Sequence, residues 1–191
     1  MKVLVACEFS GIVREAFIKK GHYAVSCDLL DTWIKGPHFK CDVLDKLYID
    51  WDLMIAHPPC TYLCVSGIHW NNRIEGRSKK TEEALEFVQK LMDANIPKIA
   101  IENPIGVIST RIRKPDQIIQ PWQFGHPESK ATCLWLKGLP KLVPTDILPK
   151  RKQWENQTPT GNNKLGQTKD RWMKRSLTYV GIANAMAEQW G

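Results

Sequence analysis

Short apolar runs alternate with amphipathic stretches along most of the 191-residue chain. Residues 2–6 (KVLVA) are an unbroken apolar run of strand length, as expected of a strand buried on both faces. A turn, EFSG, follows. Over 12–21 the period changes: Ile12, Val13, Ala16 and Phe17 share a helical face, Lys19 and Lys20 fall late, and Gly21 suits a stop. Residues 22–28 read as a second strand ending in an acid, and 38–43 as a weaker third strand that also ends in one. Residues 51–56 read as a fourth strand that runs into His57-Pro58-Pro59-Cys60. After a polar stretch over 69–80, Leu85, Val88 and Met92 predict a helix within 81–95, with Glu82 and Glu83 suited to its N-terminal dipole. A fifth strand is expected over 97–104, a later one over 130–140 and a closing helix over 181–190. Residues 150–166 carry no apolar period.

Strands alternating with helices predict an α/β fold, a mostly parallel central sheet flanked by helices, in a single domain over 1–191. No internal repeat is visible. In such sheets ligands bind beyond the C-terminal ends of the strands. Phe9-Ser10-Gly11, Asp28, Asp42, Pro59-Cys60 and Glu102-Asn103 all fall at predicted strand ends, so one site built from five ends is expected.

Composition narrows the class. The hydrophobic fraction is 43%, ordinary for a globular chain. No apolar run approaches the roughly 18 residues of a membrane span. The N-terminus is too short and too soon interrupted for a secretion signal. A cytoplasmic protein with no membrane partner is expected. Six cysteines, at 7, 27, 41, 60, 64 and 133, lie in apolar or strand-like contexts and are expected as reduced thiols. The net charge of +7 sits almost wholly in 150–175, which holds eight basic and two acidic residues. Lys150, Arg151, Lys152, Lys169 and Arg171 there, with Trp154 and Trp172 interleaved, suit phosphate contact and base stacking on a nucleic acid.

The strand ends carry the candidate chemistry. Asp28, about 20 residues after a glycine turn, is placed to accept from ribose hydroxyls. Asp42 can accept from an adenine amine. The first turn lacks the G-x-G-x-x-G of a pyrophosphate site, so a nucleoside cofactor without pyrophosphate is favoured, with S-adenosylmethionine the obvious one. Cys60 is a candidate nucleophile, and a free thiol is only a few per cent thiolate near neutrality, so it needs activation. Glu102 suits substrate binding rather than a base role, because a neighbouring carboxylate raises a thiol's pKa. A protonated or hydrogen-bonded glutamate can hold a pyrimidine's N3 and exocyclic amine. No metal is expected: Cys60 and Cys64 have no second ligand pair, and no H-x-E accompanies a P-C-x-x-C.

In order, these motifs resemble the DNA cytosine-C5 methyltransferases, in the form of a small phage-like member lacking most of the target recognition domain. Phe9-Ser10-Gly11 is similar to the family's first motif, Asp28 and Asp42 to its acids, Pro59-Cys60 to its catalytic pair, and Glu102-Asn103 to its cytosine-holding pair. Ala183-Asn184-Ala185-Met186 is similar to its last motif. The resemblance spans residues 3–190. There are departures. Val13-Arg14 stands where glycine is frequent, His57-Pro58 precedes the catalytic pair, Thr61 follows Cys60, and Pro104 follows Glu-Asn. Lys130-Ala131-Thr132 takes the place of an Arg-x-Arg strand, and Ala183 that of a glycine. The recognition domain is nearly absent, and 150–175 occupies its slot.

The resemblance implies a Rossmann-like S-adenosylmethionine-dependent methyltransferase fold. It implies cofactor contacts at Phe9, Ser10, Gly11, Asp28, Asp42 and Asn184, and catalytic roles for Pro59, Cys60, Glu102 and Asn103. Cys60 would add to a cytosine flipped from duplex DNA, and carbon 5 would take a methyl, or a related group from a derivative of the cofactor. Arg73 and Arg77, in the polar loop 67–80, would close over the base, and Lys130 and Thr132 would face the nucleic acid. A monomer is expected. Two other readings remain open: an amino-methyltransferase on adenine N6 or cytosine N4, and a non-catalytic nucleic-acid-binding relative. RNA or free nucleotides remain open as substrates.

Overall fold

The computed structural model describes residues 1–166 and 168–191. Its centre is a seven-stranded sheet. The strands are β1 (Lys2–Ala6), β2 (Tyr23–Asp28), β3 (His38–Lys40), β4 (Leu53–Ala56), β5 (Lys98–Pro104), β6 (Gln117–Ile119) and β7 (Thr132–Lys137). They lie in the order β3-β2-β1-β4-β5-β7-β6. The first five are parallel, and β7 runs antiparallel between β5 and β6. The chain winds one way from β1 to β3 and the other way from β4, so the switch point lies between the ends of β1 and β4. That crevice is where doubly wound sheets hold ligands.

Strand alternation divides the core. Val3, Val5, Leu53 and Ile55 point to one face, under α1 (Ile12–Lys19) and α6 (Val180–Trp190). Leu4, Ala6, Met54 and Ala56 point to the other, under α3 (Arg77–Met92). Both faces being covered explains why these strands read as continuous apolar runs. The remaining helices are short: α2 (Val65–Ile68), α4 (Ile108–Arg111), whose Ile108 joins the core on the α3 face, and α5 (Arg171–Ser176). Among the described residues no helix is long and apolar enough to cross a membrane.

The expected elements are present, with shifts at their ends. Helix α3 starts at Arg77, four residues before the expected Thr81, after Gly76 in the left-handed region (φ 72°). The polar stretch before it is therefore partly helical, and its hydrophilic composition hides this. Strand β6 and helix α5 have no counterpart in the hydrophobic pattern, because three and six residues are too short to display a period. In α1 the buried face includes Arg14, which is fully enclosed.

Candidate active site at the strand ends

Strand β1 is followed by Cys7, a non-glycine residue in the left-handed region (φ 57°), which turns the chain sharply out of the sheet. Glu8 follows and is buried. Its carboxylate accepts from the backbone N–H of Val13 (2.7 Å) and Arg14 (3.3 Å) and from the Ser10 hydroxyl (3.1 Å). Glu8 thus caps α1 from outside the helix and complements its positive end. Ser10 Oγ also accepts from Ile12 N (3.2 Å), so this hydroxyl serves the turn itself. Gly11 has φ 78°. A Cβ there would lie 2.5 Å from the Arg14 guanidinium, so both backbone and space require glycine.

Arg14 organises the neighbouring loop. Its guanidinium donates to Ser26 Oγ (2.9 Å), Thr32 Oγ1 (3.1 Å), Ile34 O (2.6 Å) and Glu15 Oε1 (3.1 Å). The loop is also stitched to the first turn, with Trp33 N on Phe9 O (2.9 Å) and Ile34 N on Ser10 O (3.2 Å). Trp33 meets the Phe9 ring edge-on at 4.9 Å, and Trp172 of α5 lies 6.2 Å from the same ring.

Asp28 and Asp42 stand on the same side of this turn. Burial pushes the Cys7 thiol up, and the charges of Asp28, Cys27 and Asp42 push it further, which marks the two carboxylates as its neighbours. Asp28 accepts from Leu30 N (3.0 Å), and burial raises its pKa against the pull of its backbone donors and His38. Asp42 accepts from Leu44 N (3.0 Å) and caps a 3-10 turn. A carboxylate has about four acceptor positions. Both acids keep capacity for hydroxyl or amine donors, so the donor chemistry of a ribose and an adenine fits this edge.

Strand β4 delivers Cys60. Pro58 is buried, and its carbonyl accepts from Asn103 Nδ2 (2.7 Å) at the end of β5. Pro59 is exposed. The chain then coils: Leu63 N and Cys64 N both donate to Cys60 O at 3.0 Å, which brings the two thiols to one side of a helical turn. Cys60 is pushed up by the neighbouring Cys64 thiol, by burial and by the charge of Glu102, with Lys130 opposing. Cys64 moves down to about 5, through the neighbouring Cys60 thiol and through Ser66 Oγ at 3.2 Å, against the effect of burial.

The loops after β4 and β5 are tied together. Val107 N donates to Leu63 O (2.8 Å) and Val65 N to Ile105 O (3.1 Å). Gly106 lies so close that a Cβ there would stand 1.9 Å from Leu63 O. The Gly106→Ala variant is therefore expected to lose about 1–3 kcal/mol of stability and to displace the Cys60–Cys64 turn. Denaturant titration checks the first effect, and the rate of Cys60 alkylation the second.

Glu102, at the end of β5, has a partner that sequence reasoning missed. His57 Nδ1 lies 2.7 Å from Glu102 Oε2. Burial pushes this carboxyl up, but the His57 hydrogen bond and the charges of His57 and Lys130 outweigh it, leaving Glu102 below the ordinary glutamate range. The only hint in the sequence was a histidine directly before Pro-Pro-Cys, where the resembled family has glycine. Among the described residues, His57 Nε2 and Asn103 Oδ1 are buried without a hydrogen-bond partner.

Strand β7 enters at the same edge, since Thr132 pairs with Pro104. Thr132 is buried and donates to Lys130 O (3.1 Å). The Lys130 ammonium acts on both Cys60 and Glu102, and donates to Arg175 O (2.9 Å). Lys130 thus joins the basic segment to the centre. Glu102, Lys130, Thr132, Thr178, Tyr179 and Ile182 line a small cavity.

The remaining candidates lie further out. Arg77 donates to Thr61 O (3.1 Å) and sits over the Tyr62 ring at 4.9 Å, so it braces the turn after Cys60. Arg73 is exposed beside Trp70. Lys150, Arg151, Lys152 and Lys169 are exposed, Arg171 is half-buried, and Arg151 pairs with Glu155 (3.2 Å). Trp154 stacks on Trp122 at 5.8 Å. Asn184 lies on the exposed side of α6.

No protein-family model and no curated protein matches this chain. Among solved structures, it is similar to a protein described as a prophage-encoded DNA modification methyltransferase of E. coli. That match has TM-score 0.49 and 14% identity, and covers 78% of this chain and 52% of that one. A second match is the 16S rRNA methylase RmtB, with TM-score 0.35 and 14% identity, covering 71% of this chain and 55% of that one. The chain spans about half the length of each.

Proposed function

We infer that the chain is a nucleic-acid methyltransferase that uses S-adenosylmethionine and modifies carbon 5 of cytosine in DNA through Cys60. One observation carries this reading. Cys60 and Glu102 stand at the ends of adjacent parallel strands, near enough for the glutamate's charge to act on the thiol. A single flat ring between them would meet a sulfur at one carbon and a carboxyl at a ring nitrogen. The motif order of the DNA cytosine-C5 methyltransferases supports the same assignment.

Phe9, Asp28 and Asp42 would hold the cofactor's adenosyl part at the β1–β3 side of the switch point, with Ser10 and Gly11 shaping the turn. When bound there, S-adenosylmethionine supplies an electrophilic methyl carbon on a sulfonium. Cys60 sulfur would add to C6, and its proton would leave toward the neighbouring Cys64, whose pKa is pushed down. Asn103 holds the Pro58 carbonyl and so fixes the approach of Pro59-Cys60. Glu102 would bind the N3 and amine edge. Water would take the C5 proton, and Cys60 would then depart. The target would be a base swung out of duplex DNA, because ring-carbon chemistry cannot proceed inside the stack.

The test is nucleoside mass spectrometry with chromatographic separation of isomers, after incubating cytosine-rich duplex DNA with protein and S-adenosylmethionine. 5-Methylcytosine is the expected product. N4-methylcytosine or N6-methyladenine would replace this reading by the amino-methyltransferase one.

The exposed basic segment would supply phosphate contacts. Each of Lys150→Ala and Lys152→Ala is expected to lower the slope of log K against log salt by about 0.9, the value for one phosphate no longer neutralised. Fluorescence-anisotropy titrations on duplex DNA at several salt concentrations measure this.

A further inference from the structure

His57 and Glu102 form an enclosed pair, and a role for the histidine rests on the cytosine-C5 reading of the reaction. The imidazole is 8% exposed and the carboxyl 13%. Contact at 2.7 Å favours opposite charges on the two groups, while burial disfavours both. Moving the proton from Nδ1 to the carboxyl removes both charges at once, so burial and contact pull the proton in opposite directions. Nε2 has no partner among the described residues, so no second hydrogen bond fixes the imidazole in one form. The other groups facing the carboxyl are Lys130 from the loop before β7, Cys133 from β7 and Cys60 from the turn after β4.

The cytosine edge sets the requirement. N3 is an acceptor, and an ionised carboxylate is acceptor-only, so Glu102 in its resting form would repel N3. A proton must stand between them. We propose that His57 is a positioning residue that keeps, in its hydrogen bond to Glu102, the proton that Glu102 hands to N3 of the target ring. As the S–C6 bond forms, the C5=C6 electron pair moves to C5=C4 and the C4=N3 pair moves onto N3. N3 takes the proton from Glu102, and Glu102 is resupplied from His57 Nδ1, leaving a neutral imidazole. When Cys60 departs, the electron pairs return and N3 gives the proton back to the pair. No oxidant or further reactant is needed.

The experiment compares the native chain with His57→Asn, which keeps an N–H donor at the Nδ1 position but carries no mobile proton, and with His57→Ala. The pH profile of kcat for methyl transfer to duplex DNA is the first readout. The alkaline limb is expected to move to lower pH by at least about one unit in both variants, because a lone carboxyl surrenders its proton in more acidic solution than an imidazolium–carboxylate pair. Activity should recover on acidification, with KM nearly unchanged in His57→Asn. A uniform loss with an unmoved limb would mean a purely structural histidine and would overturn the proposal. The second readout needs no activity: 13C-carboxyl NMR of the resting, glutamate-labelled protein. Glu102 is expected to stay ionised to lower pH in the native chain than in His57→Ala. An unchanged Glu102 titration would overturn the pairing itself. A changed titration with no product on cytosine would instead overturn the proposed reaction.

Discussion

Cys60→Ser is expected to abolish 5-methylcytosine formation, by on the order of a thousandfold or more, while leaving the fold intact. Serine is nearly isosteric, and its hydroxyl is a far weaker nucleophile than a thiol at neutral pH. Cys64 lies one helical turn further on, with its thiol on Ser66 Oγ, so Cys60→Ser,Cys64→Ser should lose no more activity than Cys60→Ser. Two measurements separate loss of chemistry from loss of binding. DNA affinity should be retained in the variant. Duplex DNA carrying 5-fluorocytosine should form a denaturant-resistant complex with the native chain and none with Cys60→Ser. If Cys60→Ser keeps native transfer rates, the covalent route is wrong, and attack by an amine nitrogen, which needs no enzyme nucleophile, becomes the better account.

The second large effect is on stability. Arg14→Ala is expected to cost about 3–5 kcal/mol, the range for removing one partner from a buried charged network. The side chain is fully buried, and its loss would remove a charged donor from Ser26 Oγ, Thr32 Oγ1 and the Ile34 carbonyl, leaving Ile34 O with Thr32 Oγ1 and Ser26 Oγ with His38 Nδ1. At roughly 2–4 °C per kcal/mol for a domain of this size, the melting temperature should fall by about ten degrees. Arg14→Lys should lose part of this, because an ammonium cannot reproduce the planar fork that reaches several acceptors. The loop that Arg14 holds carries Trp33 onto Phe9, so cofactor affinity should fall along with stability. Chemical denaturation and calorimetry with S-adenosylmethionine measure the two losses. A change under about 1 kcal/mol would mean that the remaining partners and water satisfy these groups.

Each network shows where reading residues in order reaches its limit. The Cys60–Glu102 alignment was legible: apolar runs mark the strands, the strand-helix alternation makes the sheet parallel, and parallel strands end on one edge. The Arg14 network was not. An arginine in the first turn of an amphipathic helix, beside Glu15, reads as solvent-facing, and its acceptors lie 12–20 residues away in β2 and the loop after it. Glu8 escaped for the same reason, since its helix-capping role depends on the chain folding back over Ser10 and Gly11. Lys130 read as a nucleic-acid contact from its motif position, whereas its ammonium lies against the centre and a backbone carbonyl of the basic segment.

By itself, then, the sequence determined the α/β class, the direction of the strands and the edge on which the candidate residues gather. These follow from periodicity and from the length of the connections, which are local properties of the chain. Only the tertiary structure decided the chemical state of that edge. A histidine 45 positions away holds Glu102 below the ordinary glutamate range, the Cys60 and Cys64 thiols are pushed in opposite directions, and a buried arginine holds the loop beside Phe9. Those are matters of distance and burial, and Coulomb energies and desolvation depend on which side chains the fold brings within a few ångströms, whatever their separation along the chain.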